Sequence, residues 1–450
     1  MDGAPITQSL QPSSSNTNPP FVWVPSSTTR GTFQIFTLCA TTTVICIWSS
    51  VHRDIPYRRL STFRSLPREA AWVLVAFFFP EFLLLFAMNQ TSTARRLVKE
   101  IRIKRQRQYP FTLVHGFYAV MGGYVFDVGS SGDNEEDDGG GNNGTRARMT
   151  ITPNGFLFLL ERDPFLIPNL SVKSITDRSK SSNLGKALLV LQLTWFFANC
   201  ISRLKERLPL TLLEVTTAAH GIITLASYAA WWYKPLNIDE PTLIGGEQAE
   251  EVFALMRMAY SDRESLPLRA VERYGLSDTD LRRIDFHAFL SSGSEPSPPK
   301  SIAEIIHFLI EYINDLKLSS YSSTTYSDIV ILPAVYGCMH FFGWHAQFPT
   351  PVEQKLWRIA TVAVCSSGGV SLVVFVLTGI IESCYSRIRA INIIAHSLTL
   401  VGVFLVTIFI PCLYLFGILY LLVESLRQLF YLPPKAFDIG SWSNYFPHIS

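Results

Sequence analysis

The sequence predicts an all-α fold: a polytopic bundle of about seven transmembrane helices, with a range of six to eight, and a small helical polar region between the spans. Only 16% of the 450 residues are charged, against about 25% in ordinary soluble domains, and the mean hydropathy is +0.23. Charge-free runs recur at lengths near the roughly 20 residues that cross a hydrocarbon core of about 30 Å. The lipid bilayer is therefore the expected environment, and the net charge of +2 gives no reason to expect nucleic acid as a partner.

The chain begins with a polar tail and a first apolar span. Residues 1–30 are rich in Ser, Pro and Asn, a composition that predicts disorder. An N-terminal membrane segment follows at 31–126, and its first span, 31–52, contains no formal charge. We expect this span to be retained as a membrane helix.

Two further stretches of the N-terminal segment are apolar but interrupted. Residues 70–88 are apolar except for Glu81, which follows Pro80; because proline removes a backbone donor, we expect a kinked span there. Residues 108–126 are free of charge but broken by proline and glycines. A full crossing and a re-entrant or interfacial segment both remain open for 108–126.

The middle of the chain alternates between polar and apolar territory. An acidic Gly-rich loop and an interfacial segment are expected at 127–183. A helical hairpin is predicted at 184–234, with spans at 184–203 and 211–233. Residues 235–327 show apolar side chains at helical spacing and predict a polar region of amphipathic helices.

The C-terminal membrane segment is predicted at 328–423 and is followed by a tail at 424–450. The last span is too long for a straight crossing, since its 32 residues would measure about 48 Å, and Pro411 marks the expected irregularity. The three predicted spans of this segment are 329–349, 359–381 and 392–423.

Three ionisable residues within predicted spans are candidates for a functional role: Glu81, His220 and His340. A charge at mid-bilayer costs at least about 2.5–3.5 kcal/mol, so such residues are conspicuous. Glu81 suggests a proton or cation site at the proline break. The alternative is a protonated or hydrogen-bonded carboxyl group that faces other helices.

A basic stretch beside the second span is a candidate for contact with anionic lipid headgroups, which attract Lys and Arg near a membrane surface. Its residues are Arg95, Arg96, Lys99, Arg102, Lys104, Arg105 and Arg107.

Five segments resemble, in the same order, those of a large family of polytopic membrane proteins from filamentous fungi. The resemblance implies membrane residence and a fungal origin, and it carries no catalytic residue to this chain. The segments are TLCATTTVICIWSSVHRDIP (37–56), ITDRSKSSNLGKALLVLQLTWFFANCISR (175–203), LPLTLLEVTTAAHGIITLASYAAWWYKPLNI (208–238), FGWHAQFPTPVEQKLWR (342–358) and LPPKAFDIGSWSNYFPHI (432–449).

No nucleophile elbow, Walker loop, HExxH or Rossmann fingerprint occurs in the sequence, so no catalytic residue, cofactor or metal ligand is assigned and enzymatic activity is not favoured. Two functions remain. The first is a structural or interaction protein that presents residues 238–327 to a protein partner. The second is a transporter or channel for a small solute or ion that uses Glu81 at the broken helix. The sequence does not distinguish between the plasma membrane and an endomembrane as the location of the protein.

Overall fold

The computed structural model of the chain describes residues 30–55, 62–104, 111–129, 146–179, 183–257, 290–291, 324–385 and 404–438, together with residues 398, 401 and 402. Several sequence predictions lie outside these residues: the disordered tail 1–30 except Arg30, positions 130–145 of the acidic loop, and most of the polar region between 258 and 323.

The described chain is mostly helical. Its α-helices are α1 (Thr32–Ser50), α2 (Thr62–Phe78), α3 (Pro80–Lys104), α4 (Leu113–Val120), α5 (Pro153–Arg162), α6 (Val172–Arg178), α7 (Asn183–Lys205), α8 (Leu212–Ala230), α9 (Glu247–Arg257), α10 (Thr324–Met339), α11 (Pro351–Tyr385) and α12 (Ile410–Arg427). Its strands are β1 (Tyr124–Gly129), β2 (Arg146–Ile151), β3 (Thr242–Ile244) and β4 (Leu290–Ser291).

Helix α8 is the central helix of the bundle and contacts α1, α3, α7, α10 and α12. Thr211 caps its first turn: the Thr211 hydroxyl oxygen accepts from the backbone N–H of Glu214 over 3.2 Å, and the Glu214 carboxylate accepts from the backbone N–H of Thr211 over 2.8 Å. A side chain at Gly221 would meet Leu193 of α7 at 2.8 Å, so glycine permits the close approach of these two helices. Helix α11 lies one layer further out, where it packs on α10 and α12.

Four helices of the described chain are long and apolar enough to cross a membrane, and the number rises to five if α2 and α3 together form one broken span. The seven spans expected from the sequence are therefore not confirmed. The four are Thr32–Ser50, Gly185–Lys205, Pro351–Thr378 and Ile410–Phe430.

Three predicted spans, 70–88, 211–233 and 329–349, are not among these four, for different reasons. Helix α8 matches the predicted span 211–233 in position, but polar side chains such as Glu214 and His220 lower its mean hydropathy. Helix α10 ends at Met339 and gives way to a 3-10 helix at His340–Gly343, so the continuous helix predicted at 329–349 is too long.

The segment 70–88 forms a corner rather than one kinked helix. Helices α2 and α3 meet at Pro80 with a bend of 109°. Proline is tolerated in the first turn of α3, where its missing N–H has no partner to lose, but it cannot continue α2. The predicted break is thus present, and it is sharper than a kink.

Residues 111–126 do not form the crossing or re-entrant segment considered for 108–126. They form the short helix α4, a turn in which Gly122 has a φ of 84°, and the strand β1. Strand β1 pairs antiparallel with β2 and parallel with β3, while β4 pairs with β2, giving the strand order β3-β1-β2-β4. The expectation of an all-α fold does not include this sheet.

Helices α4, α5, α6 and α9 cover the four strands, and we call this assembly the sheet unit. Its core includes Phe126, Phe156 and Leu159, none more than 2% exposed. The apolar residues of α5, for which the sequence predicts an interfacial segment, therefore pack against the sheet. Strand β3 and α9 also bring the start of the polar region 235–327 into the sheet unit.

The end of the described chain is folded back onto the bundle. A π-helical turn at Leu405–Phe409 precedes α12, next to Pro411, where the sequence predicts an irregularity. Beyond α12, 3-10 helices at Gln428–Phe430 and Pro434–Phe437 follow, and Phe437 is buried. Residues 424–438 are thus part of the packed structure, which corrects the prediction of a tail from 424.

Candidate functional site

Glu81 is buried in the first turn of α3, with 5% of its surface exposed. Tyr414 of α12 donates its hydroxyl hydrogen to Glu81 Oε1, while Glu81 Oε2 has no hydrogen-bond partner among the described residues. Phe79 stacks on Tyr414 with the ring centres 5.9 Å apart. The carboxyl group is therefore enclosed by aromatic side chains and bound on one side only.

His220 of α8 and His340, directly after α10, line one cavity of about 40 Å³. The two residues are 4% and 0% exposed. The structure thus brings together two of the three residues that the sequence singles out. Tyr336 lines the cavity and also interacts electrostatically with the Glu81 carboxyl group. Glu81 itself is not part of the cavity wall.

A polar cluster that sequence reasoning missed joins three parts of the chain at the C-terminal end of α8; we call it the Lys234 cluster. The Lys234 ammonium group donates to Asp54 Oδ1, to the Gln90 side-chain carbonyl and to the His52 backbone carbonyl, each over 2.8 Å. Trp231 Nε1 donates to the same Gln90 oxygen over 3.0 Å. The Gln90 amide in turn donates to both Asp54 oxygens over 3.0 Å, so Asp54 Oδ1 accepts from both Lys234 and Gln90.

Burial and neighbouring charge set the protonation of this cluster. Burial lowers the pKa of Lys234 from its ordinary value, and the Asp54 carboxylate opposes that shift. Burial also lowers the pKa of His52 to about 3, and the Lys234 ammonium group acts in the same direction. His52 is therefore neutral, and its ring packs on Trp231 with the ring centres 4.8 Å apart.

A second cluster, the Glu214 cluster, ties the N-terminal end of α8 to both ends of the described chain. Arg30 binds the Glu214 carboxylate through two nitrogens, at 2.5 and 3.2 Å, and donates to the Ala436 carbonyl over 2.7 Å. Arg203 of α7 donates to the carbonyl groups of Ala436 and Asp438 over 3.0 and 2.7 Å. The two guanidinium groups thus donate hydrogen bonds to the backbone carbonyl groups of Ala436 and Asp438.

The two clusters are separated by the length of α8. Its 19 residues measure about 28 Å at 1.5 Å per residue. Gln90 belongs to the Lys234 cluster and lies nine residues after Glu81 on α3, so Glu81 lies about 13 Å deeper along that helix. The polar ends of the bundle are thus far apart, and Glu81 lies between them.

The predicted basic stretch forms an exposed face on the second half of α3. Arg95, Arg96, Lys99 and Arg102 are exposed, whereas Leu97 and Ile101 of the same turns are buried. Arg96 also pairs with Glu100 over 3.2 Å. Nothing is described for the side chain of Lys104 or for Arg105 and Arg107, which leaves four of the seven predicted residues on this face.

Neither polar cluster has a local sequence signal. Lys234 and Asp54 are 180 positions apart, and Arg203 and Ala436 are 233 positions apart. Arg30, Glu214 and Lys234 are conspicuous in the sequence only as charges that flank apolar runs. In the part of the chain that the structure describes, no group of three or more His, Cys, Asp or Glu residues could hold a metal ion.

We predict that Asp54→Asn lowers the free energy of unfolding by about 2–3 kcal/mol, because it leaves the buried Lys234 ammonium group without its carboxylate. Thermal and denaturant unfolding in detergent micelles measures this change. The matched control is Glu69→Gln, which removes the half-exposed Arg53–Glu69 pair and should cost less than about 1 kcal/mol. Equal losses in the two variants would contradict a special role for Lys234.

We also predict a pH dependence that originates from His52. Because the unfolded imidazole binds a proton near pH 6.5 and the folded one only near pH 3, stability falls as the pH drops through this window, by up to about 1.4 kcal/mol per pH unit. His52→Phe keeps the aromatic packing and removes the titration. Measured at pH 7, 6, 5 and 4, the unfolding free energy of the unaltered protein should fall relative to that of His52→Phe as the pH drops. Parallel curves would contradict the prediction.

Comparison with known proteins adds a family but no activity. A family model described as a family of unknown function (DUF8562) matches residues 6–266 and 321–449, and it leaves out 267–320 within the polar region. The search of curated proteins gave no match, and the search of solved structures gave none either. Since the matched residues make up most of the chain, the protein belongs to the family of unknown function DUF8562.

Proposed function

We propose that the protein is a multi-pass membrane protein with a structural and interaction role, in which the helical bundle holds the sheet unit at one face of the membrane. The observation that carries this proposal is the large apolar surface of the four long helices. Soluble proteins rarely expose such continuous apolar surface, whereas lipid would cover it. Exposed examples are Phe36, Val44 and Trp48 of α1, Leu188 and Leu191 of α7, Val370, Val373 and Leu377 of α11, and Leu413, Phe416 and Val423 of α12.

The spacing of the two polar clusters supports a crossing. The roughly 28 Å between them is close to the thickness of a hydrocarbon core, about 30 Å. Trp232 and Tyr233 lie next to the Lys234 cluster and are half exposed, as aromatic residues at a membrane interface often are. On this proposal the Lys234 and Glu214 clusters mark the two interfaces, and Glu81 lies near the middle of the bilayer.

Contacts at the helix ends favour six crossings: α1, α7, α8, α10, α11 and α12. Asp54, before α2, and Gln90, within α3, meet in the Lys234 cluster, so the corner at Pro80 enters and leaves on the same side. Lys186 at the start of α7 lies over Trp232, on that side too. At the other end, Arg427 of α12 pairs with Glu353 of α11, and Gln428 accepts from the backbone N–H of Leu212.

This arrangement favours the cytoplasm for the side of the Lys234 cluster. The basic stretch 95–107, the sheet unit and the polar region 235–327 then share one side, and Lys and Arg near membrane helices concentrate in cytoplasmic loops. We propose anionic lipid headgroups as the partner of the basic face of α3. We propose that residues 238–327 bind a protein partner. We also propose that the protein is related to the polytopic membrane proteins of filamentous fungi.

A transporter or channel that uses Glu81 is the alternative function. Two observations favour it: Glu81 Oε2 is unpartnered among the described residues, and the carboxyl group follows a helix break. Against it, Tyr414 and stacked Phe79 enclose the carboxyl group, which suits a structural hydrogen bond. The structural role is therefore the better supported of the two.

The topology predicts opposite accessibility for two engineered cysteines. In intact cells, Lys205→Cys should react with a membrane-impermeant maleimide, and Lys99→Cys should react only after the membrane is permeabilised. Lys173→Cys in the sheet unit serves as a second position for the protected side. Labelling of Lys99→Cys together with Lys205→Cys in intact cells would contradict six crossings with a re-entrant corner.

The proposed lipid contact predicts a specific loss of binding. Replacing Arg95, Lys99 and Arg102 with Gln should lower the enrichment of anionic lipid around the full-length protein, by about 1 kcal/mol per removed charge or less. Native mass spectrometry of the protein from bilayers with and without phosphatidylserine measures this enrichment. The charge-matched control replaces Lys173, Lys205 and Arg207 with Gln. If this control loses as much anionic-lipid enrichment, the effect comes from net charge and the proposed contact at α3 is contradicted.

A flux assay separates the structural role from transport. We predict that proteoliposomes carrying Glu81→Gln show the same proton and cation permeability as the unaltered protein, because the Gln carbonyl can still accept from Tyr414. Tyr414→Phe is the matched variant, since it removes the hydrogen bond and keeps the carboxyl group. Flux that is present in the unaltered protein and abolished by Glu81→Gln would establish the transporter in its place.

A further inference from the structure

The cavity between the helices has polar groups in an otherwise apolar wall. It lies where α1, α2, α8, α10 and α12 meet, and Phe77, Leu213 and Ile418 supply part of the apolar wall. His220 and His340 reach it from α8 and from the 3-10 helix after α10. Both imidazole groups are more than nine-tenths buried, and Nε2 of each has no hydrogen-bond partner among the described residues.

The protonation of His340 follows from its other ring nitrogen. Nδ1 lies 3.1 Å from the backbone carbonyl oxygen of Tyr336. Because a carbonyl group only accepts, Nδ1 must carry the hydrogen of this bond. In a neutral imidazole Nε2 is then an acceptor with a free lone pair. A buried acceptor of this kind is unfavourable unless something donates to it.

The size and the lining of the cavity restrict what that donor can be. A volume of about 40 Å³ holds about three to four water molecules, since one needs about 10–15 Å³. No carboxylate is part of the wall, so a cation would lack a counter-charge. The hydroxyl-bearing residues Thr43, Thr217 and Tyr336 also line the cavity, so its wall is not purely apolar.

We infer that this cavity is a binding site for small neutral hydrogen-bond donors and that water occupies it, donating to Nε2 of His340 and bound also at His220. The inference does not depend on the proposed function, because it concerns only groups inside the bundle. It assigns the two histidines a common role: they bind the same guest.

The test is solid-state NMR on the full-length protein, labelled with ¹⁵N-histidine and reconstituted in lipid bilayers. We expect transfer of magnetisation from water protons to Nε2 of both residues and loss of the transfer in D₂O. His52 is the internal reference, because it is buried in the Lys234 cluster and its Nδ1 lies 3.3 Å from the Ser50 carbonyl oxygen. Assignment uses His220→Asn and His340→Gln.

Each result decides the inference. Bare-imidazole resonances without transfer from water mean a dry cavity and overturn it. Resonances of metal-bound nitrogen, with a metal detected in the same sample by elemental analysis, also overturn it. Paired variants add a further check: His340→Gln keeps a carbonyl acceptor and should preserve the water signal at His220, whereas His340→Leu should remove it. The measurement on the unaltered protein stands even if a variant fails to fold.

Discussion

The position of helix α8 depends on buried charges that are tied at both of its ends. At one end Arg30 and Arg203 surround the start of the helix and bind Glu214 and the chain at 436–438. At the other end Lys234 binds Asp54 and Gln90. An apolar helix can slide along or rotate against its neighbours at little cost, since apolar contact has no direction. Directional bonds at both ends fix its register, and α1, α3, α7, α10 and α12 pack against it.

The same principle distinguishes the polar residues inside the bundle. In the Lys234 cluster, the Gln90 carbonyl oxygen accepts from both Lys234 and Trp231, and Asp54 Oδ1 accepts from both Lys234 and Gln90. Inside the bundle, Glu81, His220 and His340 each keep one buried side-chain atom without a hydrogen-bond partner among the described residues. Buried polar atoms of this kind need an explanation, because most buried polar groups are hydrogen-bonded.

The sequence predicts those features of the fold that depend on residues close together in the chain. Long charge-free runs give α1, α7, α11 and α12, and Pro80 gives a break, because composition and backbone chemistry act over a few residues. The sheet unit could not be predicted in this way: β3 has three residues, and the Phe-rich α5 looks interfacial until a sheet covers it. Nor could the pairing of His220 with His340 across one cavity, because 120 positions separate them and only the packing of α8 on α10 brings them together.

The attachment of the chain at 436–438 has a consequence for biosynthesis. Arg203 leaves the ribosome 233 residues before Ala436, so during synthesis its guanidinium group waits without the carbonyl groups that it later binds. Arg30 waits even longer, over 406 residues. Closure of the bundle at the start of α8 therefore requires residues 436–438, which are synthesised after all twelve described α-helices.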